Sequence, residues 1–131
     1  RKGFSLLVTM VMALMIAASA LLLFSTTNLD MMIAGNARRS TQAKLSATSG
    51  MSHFVALNLN YDTLRQRAGE LQSLQIIPLT ELGSMTSYEV KVHFCCGLSE
   101  RQYVIESVGY YKKRGDILSQ YPIRALYQGS E

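Results

Sequence analysis

Apolar and polar positions divide the chain into three stretches with different periodicity. From Phe4 to Phe24 there is no Asp, Glu, Lys, Arg, His, Asn, Gln or Pro. At about 1.5 Å per residue this run predicts a helix about 31 Å long, the thickness of a bilayer's hydrocarbon core. The next stretch, Ser25 to Leu59, contains no Pro, and Leu29, Ile33, Ala37, Ala47, Met51, Phe54 and Asn58 fall near one helical face. Small residues crowd its middle: Ala34, Gly35, Ala37, Ser40, Ala43, Ser46, Ala47, Ser49 and Gly50. They allow another helix or a sheet to approach closely, and they weaken a helix standing alone. The prediction is one helix of about 55 residues from Phe4 to near Leu59, far longer than a typical globular helix. The alternative is a boundary at Gly35-Asn36.

Asn58 to Tyr61 closes that helix. Asp62 or Thr63 can cap a short one from Leu64 to about Leu74, with Leu64, Ala68, Leu71 and Leu74 as its apolar positions. Pro78 then interrupts, and Gly83-Ser84 starts a turn. From Tyr88 the period becomes two: Tyr88, Val90, Val92 and Phe94 alternate with Glu89, Lys91 and His93, which predicts a half-buried strand. Gln102 to Tyr111 predicts a second strand, with Gly109 suggesting a bulge, and Ile123 to Gln128 a third, entered at Pro122. A sheet of about three strands is marginal alone, so the C-terminal half of the long helix must complete its core. The expected class is α+β. Its segments are 1–3 before the apolar run, 4–24 as a membrane half, 25–59 as the outward half of the helix, 60–87 as a connection with a short helix, and 88–131 as an antiparallel sheet.

Charge changes this picture at the N-terminus. Of a formal net charge of +4, half sits on Arg1 and Lys2, so the remainder is close to balance. That argues against a nucleic-acid partner and a freely soluble enzyme. Arg1 and Lys2 precede the apolar run and the first charge beyond it is Asp30, which by the positive-inside rule leaves the start cytoplasmic and the rest outward. A cleaved secretory signal is the competing reading, because Ala18-Ser19-Ala20 has the small-x-small form of a cleavage site. Leu21-Leu22-Leu23-Phe24 continues the apolar run past that point and favours a retained helix.

Arg1-Lys2-Gly3-Phe4-Ser5-Leu6-Leu7, followed by the apolar run, resembles the class III signal of type IV prepilins. The segment from Met31 through Ala34-Gly35-Asn36-Ala37-Arg38-Arg39 to Met51 is similar to PilX-type minor pilins. Together the likeness covers about 50 N-terminal residues. It implies the pilin fold, a prepilin-peptidase cut between Gly3 and Phe4 with methylation of the new amine, and Leu6, Leu7, Val8, Val11 and Leu14 as filament-core positions. The implied partners are the inner membrane before assembly, the peptidase, and other pilins and minor pilins through the N-terminal helix. Val8 stands where typical pilins carry a Glu that pairs with a neighbour's amine, which argues for a low-copy role. The expected function is a minor pilin that helps to initiate or cap a type IV pilus or related filament, with adhesion as a consequence. The alternatives are a signal-anchored outward-facing binding domain outside any filament, and a pseudopilin of a type II secretion system.

Candidate chemistry is sparse. Cys95 and Cys96 are adjacent, so a bridge between them is strained, and free thiols, a vicinal disulfide and intermolecular bonds all remain open. His93 with Cys95 and Cys96, even joined by His53, lacks the ligand spacing of structural zinc sites, so neither metal nor cofactor is expected. Lys112-Lys113-Arg114 beside Tyr110 and Tyr111 has the composition of an anion- or DNA-binding patch, although a solvated hairpin end is the commoner origin of such a run. Arg65 and Arg67 read as a solvated face. No nucleophile–base pair, phosphate loop or carboxylate pair stands out, and no catalytic residue is assigned.

Overall fold

The computed structural model describes residues 2–94 and 101–128, and Cys95 and Cys96 lie outside them. The elements are α1 (Lys2–Ala56), α2 (Tyr61–Ala68), β1 (Ser73–Glu81), β2 (Thr86–Phe94), β3 (Gln102–Lys113) and β4 (Asp116–Gln128). The class is α+β, with the long helix packed on an antiparallel sheet. Two compact units divide the chain, Arg1–Ala37 and Arg38–Glu131.

In the first unit α1 is helical throughout, with no boundary at Gly35-Asn36, and every side chain from Gly3 to Ala34 is exposed. Four of its hydroxyls bond back to carbonyls of the helix itself. Thr9 donates to the carbonyl of Leu6 at 2.8 Å, Ser19 to Met15 at 2.8 Å, Thr26 to Leu23 at 2.9 Å and Thr27 to Leu23 at 2.8 Å. In hydrocarbon, where no water competes, such back-bonding removes the cost of an unpaired O–H. By length and composition this helix can cross a membrane.

In the second unit α1 buries Ala43, Ser46, Ala47, Gly50 and Phe54. The expected face was rotated slightly from this one. Ala47 and Phe54 are buried and Met51 half-buried, but Asn58 is exposed. Asn58 adopts φ 44 and donates its N–H to the Val55 carbonyl at 3.1 Å, ending the helix three residues before the expected Leu59. Asparagine tolerates that left-handed conformation better than most residues. The short helix also starts and stops early: Gly69, at φ 58, donates to Arg65 O and closes α2 at Ala68. Leu64 and Ala68 are buried as expected, whereas Leu71 is exposed and Leu74 lies in β1.

The sheet is a meander in the order β1-β2-β3-β4, four strands where about three were expected. The strand not anticipated is β1. Pro78 lies in it on an outer edge, where the missing N–H is tolerated, and its register with β2 shifts between Gln75 and Ile77 and between Ile77 and Thr80. The alternation expected from Tyr88 to Phe94 appears in β2, with Tyr88, Val90 and Val92 facing α1. Gly109 marks no bulge, since β2 and β3 pair without interruption from Thr86↔Tyr111 to Phe94↔Tyr103. On the other edge, β4 begins seven residues before the expected Ile123 and runs straight through Pro122. The core comprises Phe54 from α1, Leu64 from α2, Ile77 from β1, Tyr88, Val90 and Val92 from β2, and Tyr103 and Ile105 from β3.

Candidate functional site

The N-terminal residues singled out in the sequence all lie on the uncovered part of α1. A Cβ built on Gly3 meets nothing within 4 Å. Phe4, Leu6, Leu7, Val8, Val11 and Leu14 expose between 37% and 75% of their surface. Soluble domains rarely leave so continuous an apolar surface uncovered, so this one requires lipid or protein around it.

In the second unit the closest approach is between α1 and β3. Ser107 donates its buried hydroxyl to the Ala47 carbonyl at 2.7 Å. Two residues on, Gly109 lies directly against the helix backbone, where a Cβ would collide with Ala43 O and Ala47 N. Gly50 sits against Ser107 Oγ and the Tyr88 ring. Two rows of small residues, 43/47/50 on the helix and 107/109 on the strand, therefore set the helix–sheet distance. The sequence showed the helical row. The strand row, Ser107-x-Gly109 on one face of an otherwise bulky strand, was the overlooked signal. Beside this contact His53 Nδ1 and Tyr88 Oη are hydrogen-bonded at 2.8 Å.

The face of the sheet turned away from α1 carries a lattice of ions. Glu106 accepts from Arg124 Nε at 2.7 Å and faces His93 Nε2 at 3.2 Å. Glu89 accepts from Tyr110, from Lys91 at 3.1 Å and from Gln75 at 3.3 Å. The Arg124 hydrogen bond is the chief reason that the Glu106 carboxyl lies below its ordinary pKa, against an opposing push from burial. Burial alone would raise Glu89, but the bonds from Tyr110 and Lys91 outweigh it and hold that carboxyl down as well. Tyr110, buried and bonded to Glu89, is pushed up to about 12. Both carboxylates are thus fixed in the charged form and committed to partners, which suits structure better than proton transfer.

The chain matches no family model, no curated protein and no solved structure. What it can do must therefore be argued from its own surfaces. A cleft of about 130 Å³ opens where Phe54 and Val55 of α1 meet Tyr103, Ile105 and Tyr127. It is smaller than the roughly 300–1,000 Å³ usual for small-molecule sites. Among the described residues no three metal-ligating side chains cluster, and His93 and His53 are each bonded to the partners named above. Arg65 stacks over Phe94 at 5.1 Å, beside the aromatic group of Tyr61, Tyr103 and Tyr127. Lys112 lies over the Tyr110 ring at 5.8 Å, while Lys113 and Arg114 project from the β3–β4 hairpin. The large accessible features are thus the apolar length of α1 and the cationic end of that hairpin.

Proposed function

We propose that this chain is a minor subunit of a type IV pilus or a related filament, acting in the initiation or capping of assembly. The observation that carries the reading is the division of labour along α1. Its N-terminal residues are apolar and uncovered, with the hydroxyls of Thr9, Ser19, Thr26 and Thr27 bonded back to the helix, and its C-terminal residues form one layer of the outward domain's core. A helix of that kind is held by the inner membrane, with its N-terminus cytoplasmic, until it transfers to a bundle of like helices. The transfer is feasible because lipid tails and neighbouring apolar helices are similar surroundings for Leu and Val. The prepilin-like signal around Gly3 and Phe4 supplies the processing step, and Val8 in place of an acidic residue favours a place at an end of the filament. Adhesion follows from display at that end.

The test is chemical. Mass spectrometry of protein recovered from sheared filaments should show a methylated N-terminal Phe4, and Gly3→Ala should block maturation. Recovery of Arg1-Lys2-Gly3 still attached, or unchanged processing in the variant, would refute the reading. A mature product starting beyond Ala20 would instead indicate a cleaved secretory signal.

A further inference from the structure

The inner face of the sheet is wider than the helices that cover it. Strands are spaced about 4.8 Å apart, so a helix about 10 Å across covers two of them. Helix α1 lies over β2 and β3: Gly50 rests on the Tyr88 ring and Ser107 Oγ, and Gly109 touches Ala43 and Ala47. Helix α2 packs on β1, with Leu64 and Ala68 buried. Strand β4 is left with no helix over it among the described residues. Its pairing with β3 skips Leu118 and is regular from Ser119 to Gln128. Tyr121, Ile123, Ala125 and Tyr127 stand opposite Gly109, Ser107, Ile105 and Tyr103, so they share the face that α1 packs on. Those four residues of β3 are buried, yet Tyr121 and Tyr127 stay 36% and 46% exposed.

The result is a trough with β4 as its floor and one side of α1 as its wall. Lys44 lies over the Tyr121 ring at 5.9 Å at one end. At the other end Val55 and Tyr127 line the cleft of about 130 Å³, close to the size of cavity that holds one benzene ring. A single helix fills such a trough if its face is neutral and small enough to approach. The same chain exposes a face of that kind beside the trough. Leu45, Thr48, Ser52 and Ala56 follow helical spacing on the side of α1 opposite Ala43, Ala47, Gly50 and Phe54, and all four are exposed. The Thr48 hydroxyl is turned back on the Lys44 carbonyl at 3.0 Å. From Leu45 to Leu59 there is no Asp, Glu, Lys or Arg. Solvated helix faces normally carry charged side chains, and this one carries none over about four turns.

A ridge and a trough side by side on one subunit complement each other across a two-fold axis. We infer that two copies of this chain pair through the second unit about an axis running along α1, each helix lying on the β4 face of the other copy. The two helical segments then run parallel between two outer sheets, and β4 of each copy gains the cover it lacks alone. The pairing uses only residues after Arg38 and is independent of the filament reading. A foreign acidic helix would be drawn to Lys44 but would leave the neutral ridge of α1 uncovered.

The test is photo-crosslinking of the full chain in detergent micelles, with the crosslinker benzoylphenylalanine placed at position 45 and the products mapped by mass spectrometry. Position 82, exposed on the β1–β2 loop, is the reference. The expected product is a dimer joined from position 45 to β4 of the second copy, with none from position 82. Its yield should be the same at low and high salt, because the facing surfaces are neutral. Adding Ser52→Glu should weaken the pairing at least about tenfold, since a carboxylate would lose water without gaining a partner, whereas Ser52→Ala should leave it unchanged. Ser52 is exposed in the single chain, so both variants keep the fold. No dimer from position 45, or equal yields from positions 45 and 82, overturns the pairing. Products joined only to residues before Arg38 overturn it too, because the copies would then meet through the apolar part of α1. A yield that falls with salt, or that is indifferent to Ser52→Glu, overturns the neutral ridge as the contact.

Discussion

The contact between α1 and β3 allows a sharp test at Gly109. In Gly109→Ala the new methyl meets the carbonyl oxygen of Ala43, the amide nitrogen of Ala47 and, at 3.0 Å, the Cα of Ala47. All three are backbone atoms of a helix, so no side-chain rotation relieves the collision. Carbon atoms pack at about 3.5–4.0 Å, so the helix must lift by on the order of 1 Å. A gap of that size forfeits a quarter to a half of the dispersion energy along the small-residue row. It also stretches the Ser107–Ala47 bond, now 2.7 Å, a loss of about 1 kcal/mol. Overpacking of this kind costs about 1–3 kcal/mol. Reduced freedom of the unfolded chain returns about 0.4–1 kcal/mol, the gain that Gly→Ala brings where there is room. The net expectation is destabilisation by about 2–3 kcal/mol, or a Tm lower by about 10–20 °C for a domain of this size. The assay is thermal unfolding of the full chain in detergent micelles, followed by the near-ultraviolet signal of its tyrosines. Gly83→Ala is the control, since its Cβ meets only Thr86 Oγ1 at an ordinary 3.8 Å, and it should shift Tm little. A Gly109→Ala protein as stable as the parent would refute the claim that the two backbones touch.

Two further outcomes follow from buried and charged groups on the strands. Ser87 Oγ is buried with no hydrogen-bond partner among the described residues, so Ser87→Ala should be neutral or stabilising by up to about 1 kcal/mol, and a clear fall in the denaturant midpoint would expose a missing partner. Glu106 has a folded pKa below its ordinary 4.5, so its contribution is present above that value and is lost as pH falls through the lower folded value. The urea midpoint should therefore decline on acidification below about pH 4.5, less steeply in Glu106→Gln, and identical slopes in the two proteins would count against the Arg124 pairing.

How far the fold could be read from the chain depended on whether one periodicity dominated locally. The uninterrupted apolar run pointed to a helix and the alternation of Tyr88, Val90 and Val92 to a strand, and α1 and β2 follow them. Strand β1 was hidden because Pro78 is a breaker anywhere except at a sheet edge, and an edge is a tertiary fact. The first half of β4 was hidden for a related reason. Its bulge at Leu118 removes the alternation by which a strand is recognised. The early end of α2 came from Gly69, whose positive φ overrode the apolar spacing that pointed on to Leu74. At the helix–sheet contact half the information was visible, since a row of small residues announces a close approach without naming the partner. Nothing local distinguishes Gly109 as a bulge from Gly109 as the place where a helix lands.

The chain's two prolines, Pro78 and Pro122, occupy the two outer strands of the sheet. Each lateral border thus contains a position with no hydrogen to offer a newcomer. Edge-to-edge pairing of two such sheets into a continuous ribbon is therefore discouraged. A ring locked to its own backbone nitrogen on either flank thus acts as a guard against ribbon formation, leaving the sheet at four strands.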